Sequence, residues 1–369
     1  MIDRPTWVLV VVTALVAVVA LSGLVLTPSG GDEPVAGAVP TIPDWALAPA
    51  VEPDATATPT GPPAPPLTLA FGGDVHAEDP IDGVIADGLN PLEGVAELLS
   101  AADLAVVNLE TPIATTGTPA EKTYTFRADP ALAAALADAG VDLVSLANNH
   151  GLDYGIEAAD ETVDHVEAAG MALIGYGRDA ASAYAAHRID VEGRSVAVVA
   201  LTRVMPIIEW GAGRERAGLA SADDADAAVR AARDAAATAD HVVAVVHWGR
   251  EKWLCPDGDQ LRLARLLADA GADAIVGHHP HVLQGITTID DTLVAFSTGN
   301  LVFYARTAAT RQSGILTLTL GEGGVVDHTW HPAVIDDLGR PQPVAVQPPV
   351  PSEPGLRADG TGPECAPPR

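Results

Sequence analysis

The stretch IVGHHPHVLQG, residues 275–285, places three histidines within four positions directly after an apolar run. The chain holds only 11 histidines in 369 residues, so the clustering asks for a reason. An apolar run broken by glycine reads as a buried strand leaving its sheet. Two readings of the histidines compete: they hold a metal, or they are polar residues in a tight turn. The elements around them decide.

Immediately upstream, DGDQLRLARLLADAG reads as a helix, and before it HVVAVVH reads as another apolar strand. The same alternation runs back to residue 67. LTLAFGG, DLAVVNL, VDLVSLA and SVAVVAL read as strands. DPALAAALADAG, with its aspartate cap, and DYGIEAADETVDHVEAAG read as helices that stop at Gly140 and Gly170. Strands apolar along their whole length, separated by helices, predict an α/β sheet covered on both faces. Downstream, LVAFSTGNLVF, GILTLTL and VVDHTWH follow with no helix between them. They predict a second set of strands, partly antiparallel. One domain is expected over 67–335.

The flanks differ. Residues 28–66 form a Pro/Thr/Ala-rich linker, and residues 336–369 a Pro/Gly-rich tail. Within residues 1–27, the run Trp7–Leu26 carries no charge. A helix of that length rises ~30 Å, enough to cross a bilayer core and long for a cleaved signal peptide. It predicts a single-pass signal anchor. Arg4 precedes it, while Asp32 and Glu33 follow, which puts the N-terminus in the cytoplasm and the domain outside. The formal net charge is −29, and Lys122 and Lys252 are the only lysines. That excludes nucleic acid as a partner, because a phosphate backbone needs a basic face. Cys255 and Cys365 are the only cysteines and are expected to pair outside the cytoplasm.

The polar residues fall in a pattern. Asp74 and His76 leave the first strand, Asn108 and Glu110 the second, and Asn148, Asn149 and His150 the third. His247 ends a later strand, and His278, His279 and His281 follow the next. Ligands of open α/β sheets bind at the carboxyl ends of strands. One histidine at such a place is a turn residue more often than a ligand; five strand ends that each supply a carboxylate, amide or imidazole invert that. Asp74/His76 and His279/His281 are each two apart, so in extended backbone each pair aims at one side. Gly72, Gly73 and Gly277 allow close backbone approach there. A mixed O/N set without thiolate suits Mn, Fe or Zn. So many donors exceed the needs of one ion and suit two divalent ions sharing a carboxylate, an arrangement for hydrolysing phosphate esters.

GDVH, NLETPI, LANNHGLDYG, HWGRE, GHHPHVLQG and STGNLVF, in this order, resemble the bacterial capsule-synthesis CapA family. That family is associated with poly-γ-glutamate production and belongs to the calcineurin-like metallophosphoesterase superfamily. The resemblance covers roughly residues 67–305. It implies an α/β, metallophosphoesterase-like layered β-sandwich flanked by helices. It also implies metal ligands at Asp74, His76, Glu110, Asn149, His247, His279 and His281, with His150 donating a proton to the leaving oxygen. Glu110 stands where the superfamily usually has aspartate, and the extra His278 shifts the usual Gly-His-x-His. Asn148, His278, Arg250 and Glu251 are expected to meet substrate. Asp153 is read as the cap of the following helix, with orientation of His150 as the other reading. Trp248 and Trp253 are cleft wall or core. Lys122 and Arg127 flank TYTF, a loop that can lie over the site. The expected role is capsule or poly-γ-glutamate biogenesis by a metal-dependent hydrolase, with an anionic capsule polymer and a membrane synthase as partners. The alternative is a non-enzymatic assembly or export factor that uses the metal to bind such partners.

Overall fold

The structure, a computed structural model, describes residues 65–346 except Glu192. The expected membrane anchor, nearly all of the linker, and Cys365 of the expected disulfide lie outside the described residues. Among the described residues no helix is long and apolar enough to cross a membrane.

Two mixed sheets carry the fold. In the first, β1 (Leu67–Val75), β2 (Leu104–Leu109), β3 (Leu143–Ser145) and β4 (Ala172–Ile174) run parallel in that order. Across the other edge of β1 lie β14 (Gln312–Gly321), β15 (Gly324–Ile335) and β16 (Pro341–Pro343), all antiparallel. Short β13 (Asn300–Val302) also pairs with β1. In the second sheet, β7 (Arg194–Thr202), β9 (His241–His247), β10 (Ala274–His278) and β12 (Thr292–Thr298) run parallel. Antiparallel β6 (His187–Val191) and β11 (Leu283–Ile289) close its edges. A two-stranded ribbon joins β5 (Tyr176–Gly177) to β8 (Gly218–Leu219).

Side-chain alternation explains the layers. In β1, Leu67, Leu69 and Phe71 face the second sheet, where they meet Val196, Val198, Val243 and Val245. Ala70 and Val107 face the other way, onto a layer with Leu132, Leu136, Ala159 and Val166 of the helices Ala131–Asp138 and Gly155–Ala168. On the far side of the second sheet, Val242, Ala244 and Val246 pack on helices Ala225–Ala236 and Gly258–Asp269. Helix Ala225–Ala236 buries Ala228, Ala231, Ala232 and Ala235, one face at helical spacing. The order is helix, sheet, sheet, helix. Each large side chain buried in these layers contributes about 1.5–3 kcal/mol. Those layers are what hold the polar strand ends in place.

Two readings need correction. The sheet does not stop at Ile335: β16 pairs with β15 inside the stretch read as a tail. Helix Gly155–Ala168 is preceded by Tyr154 as its cap residue, with no side-chain cap hydrogen bond, so Asp153 is not its cap.

Candidate metal centre

Strand register gathers the site. Asp74 pairs with Asn108 across β1–β2 and with Asn300 across β1–β13, and His278 pairs with His247 across β10–β9. Both sheets therefore present their carboxyl ends at one place. Small residues make this possible. A side chain at Gly73 would meet the carbonyl of Gly299, and one at Gly277 the carbonyl of Phe296 and the Trp248 ring.

Two donor groups result: Glu110, His247 and His279, and Asp74, Glu110 and His281. Within each, one possible ligand atom per residue lies within 4.8 Å of the others. Glu110 belongs to both. His247 Nε2 lies 3.8 Å from Glu110 Oε1 and 2.7 Å from Asn149 Oδ1. His281 Nε2 lies 3.7 Å from Glu110 Oε1, and its Nδ1 lies 3.1 Å from Asp74 Oδ2. Glu110 Oε1 and His279 Nδ1 are buried without a hydrogen-bond partner. Lone-pair atoms converging in a dry pocket repel unless a cation joins them, so this donor set fits a divalent metal.

The backbone is bent to do this. His279 and His281 adopt φ of 94° and 56°, the left-handed region that non-glycine residues avoid. Such conformations cost of order 1–3 kcal/mol each and persist where the surroundings fix them, often at functional sites.

Burial pushes His247 far below the ordinary histidine value, with His279, His278 and other imidazoles adding to the shift. It brings His279 to about 3 and His278 to about 4. These rings are neutral at physiological pH, as ligands must be. Burial also lifts Glu110 well above the usual carboxylate value, and the neighbouring Asp74 charge lifts it further. Burial would raise Asp74 as well, but its hydrogen bond to His281 and the charges of His281 and His278 hold it below. His281 is the converse: burial opposes its charge, and Asp74 outweighs burial and raises it.

Asparagines orient the ligands. Asn108 donates to Asp74 Oδ1 at 2.8 Å and lies 3.3 Å from His247 Nδ1. Asn148 donates to Asn108 Oδ1 and to the carbonyl of Leu109, and accepts from the His150 amide. Fully buried, it braces the site rather than facing substrate. Asn300 Oδ1 lies 2.9 Å from His281 Nδ1 and keeps the proton on that nitrogen, leaving Nε2 toward Glu110. Asn300 and the support role of Asn108 were missed from sequence. The asparagine within STGNLVF was the available signal for the first.

His76 stands apart. Its Nδ1 meets the Glu78 amide at 2.9 Å, and its ring packs on Phe126, Phe303 and Tyr304. It is in neither donor group. The pairing of β1 with β13 shifts between Asp74 and Val75, and β1 ends at Val75, so the i, i+2 rule does not carry to His76. His278 is buried, 3.6 Å from Asp74 Oδ1 and 3.2 Å from Thr298 Oγ1.

His150 has its own support. Its Nδ1 lies 2.6 Å from Asp153 Oδ2, which also accepts from the Phe126 amide. Lys122 pairs with the other oxygen of Asp153 and donates to the Asn149 carbonyl at 2.6 Å. The loop containing TYTF therefore does reach the site. Burial lowers the His150 pKa, and Asp153 opposes that shift. A cleft of about 420 Å³ opens beside these residues, lined among others by His150, His281, Glu251, Lys252, Tyr304 and Arg306. Arg250 lies instead over the Trp253 ring and 3.5 Å from Asp257, and Arg127 over Tyr154. Trp248 is core.

The sequence profile described as "Bacterial capsule synthesis protein PGA_cap" matches residues 68–305. The chain is 29% identical over 265 residues to the "PGA biosynthesis protein CapA" of Bacillus subtilis, covering 70% of this chain and 69% of that one. It is 29% identical over 289 residues to the "Capsule biosynthesis protein CapA" of Bacillus anthracis, covering 75% and 69%. Among solved structures, a "novel phosphatase" of Mycoplasma pneumoniae is similar with a TM-score of 0.48 and 13% identity, over 74% of this chain and 95% of that one.

Proposed function

This chain belongs to the bacterial capsule synthesis protein family, and we propose that it serves capsule or poly-γ-glutamate biogenesis as a metal-dependent phosphoester hydrolase. The observation that carries the proposal is Glu110, one buried carboxylate shared by two donor groups. Asp74, Glu110 and His281 would hold one divalent ion; Glu110, Asn149, His247 and His279 the other. Such ions would supply positive charge to a phosphoryl group and activate water for attack. The chain's own residues do the rest. Asp153 fixes His150 through Nδ1, so that Nε2 is the nitrogen left to give a proton to the leaving oxygen. Phe126, stacked on His150 at 4.1 Å, keeps that ring in plane and limits water on one face.

The test is kinetic. His150→Ala should keep its metal and lose rate by a factor of ~10²–10⁴, more on an alkyl than on an aryl phosphodiester. Metal content is measured on the same samples. Equal loss on both esters, or loss of metal, would remove His150 from the acid role. No hydrolysis of a broad ester panel by metal-loaded protein would leave a binding role in assembly or export. The run Trp7–Leu26 would anchor the domain outside the cell. Protease added to intact spheroplasts should then digest residues 67–335, and full protection would refute the orientation.

A further inference from the structure

The cleft beside the metal centre has two unlike ends. Buried His150 and Phe126 line one, with His281 close by; exposed Lys252, Arg306 and Tyr124 line its rim. In a chain of net charge −29 with two lysines, both lysines come to this place. Lys122 is spent on Asp153. Lys252 and Arg306 have no ion-pair partner among the described residues.

The backbone of Lys252 and the guanidinium of Arg306 are each held in place. The Lys252 amide donates to the Pro280 carbonyl at 2.7 Å, within the turn that carries His279 and His281. Its φ of 63° is again left-handed, a conformation that persists only where the surroundings impose it. The Arg306 guanidinium lies 5.5 Å from the centre of the Tyr304 ring, a cation–π placement that limits its swing. Glu251 also borders the cleft, and its charge acts on His281 and Glu110. The rim thus offers two cations against one carboxylate.

We propose that Lys252 and Arg306 form a second anion subsite for a carboxylate or phosphate of the substrate other than its reacting phosphoryl group. This rests on the hydrolase reading, because it takes the reacting group to sit at the buried end. The substrate is then an extended molecule with two anionic groups, not the monoester of a neutral alcohol. A charge-assisted hydrogen bond at the rim gives such a substrate its preference.

Binding is read without turnover, on the full chain loaded with Mn²⁺, by calorimetric titration with non-hydrolysable probes. Phenylphosphonate has one anionic group; (4-carboxyphenyl)phosphonate and 1,4-phenylenediphosphonate have two. The wild type should bind the two-anion probes about tenfold tighter than phenylphosphonate. In the Lys252→Gln/Arg306→Gln double variant, whose changes are both on exposed residues, the ratio should fall to near one. The tighter of the two larger probes identifies the second group as carboxylate or phosphate. Equal affinity for all three in the wild type would overturn the proposal, as would a ratio that survives in the double variant. A protein that hydrolyses no ester still answers this question, so failure of the hydrolase reading and failure of the subsite are told apart.

Discussion

The two donor groups share Glu110 and differ in everything else. Glu110, His247 and His279 are as buried as the core, and Asn149 adds a fourth donor 2.7 Å from His247. In the other group His281 is 12% exposed and borders the cleft, and His76, two residues from Asp74, is turned into an aromatic cluster. The first group is closed and the second is open. Closed sites hold ions; open sites leave a position for substrate or water. The open group lies beside both His150 and the cleft, where an acid and a substrate would meet.

Removing Glu110 should break the comparison altogether. Glu110→Ala takes a donor from both groups, so metal content should fall from two ions per chain to near none, read by elemental analysis. His279→Ala and His281→Ala should each lose one. Retention of both ions in Glu110→Ala would mean that the groups are independent.

Acid should act next most strongly, on the metal-free chain. His76, His247, His278 and His279 all have folded pKa values below the ordinary 6.5, mainly through burial. As pH falls below 6.5 the unfolded chain takes up protons that the folded chain refuses. Stability from these rings is therefore complete above 6.5 and drains away toward the folded values, about 4 for His278 and about 3 for His279. Each ring costs up to roughly 1.4 kcal/mol per pH unit. His281, Glu110 and Glu78 are shifted upward and run the other way, while His150 and His187 are shifted downward and add to the loss. The Tm of metal-free protein should fall from pH 7 to pH 4. A flat or rising Tm would contradict the neutral-imidazole assignment.

Asn300→Ala sharpens the contrast with a smaller effect. It removes one of the two acceptors at His281 Nδ1, leaving Asp74 Oδ2 as the other, and leaves the closed group untouched. Affinity for one ion should weaken by about 10–100-fold and for the other hardly at all, seen as separation of two binding phases in a metal titration. The smallest effect belongs to His76→Leu, which replaces one ring in an aromatic cluster. Its metal content should match the wild type, and loss of an ion would return His76 to the ligands.

Much of this was legible in the sequence because its signals are periodic or local. The central strands are apolar along their whole length, the helices are apolar at period 3.6, and the histidines sit at strand ends. Asp74, Glu110, Asn149, His247, His279 and His281 were named and do converge. His76 was named with Asp74 but falls in neither donor group: the i, i+2 argument assumes extended backbone, and β1 ends at Val75. Asp153 looked like a cap because it precedes a helix; its partners Lys122 and Phe126 come from a loop some 30 residues away, which no local rule reveals. Asn300 reaches His281 only through the packing of β13 against β1. The ribbon of β5 and β8 has two residues per strand, too few for a period.

Glu110 is expected to join two metal positions, one closed and one open. A crystal of the protein grown with Mn²⁺ and measured at a wavelength where manganese scatters anomalously tests it directly. Two anomalous peaks are expected on either side of the Glu110 carboxylate, one among His247, His279 and Asn149 and one between Asp74 and His281. A single peak away from Glu110, or no peak in a crystal saturated with Mn²⁺, would contradict it.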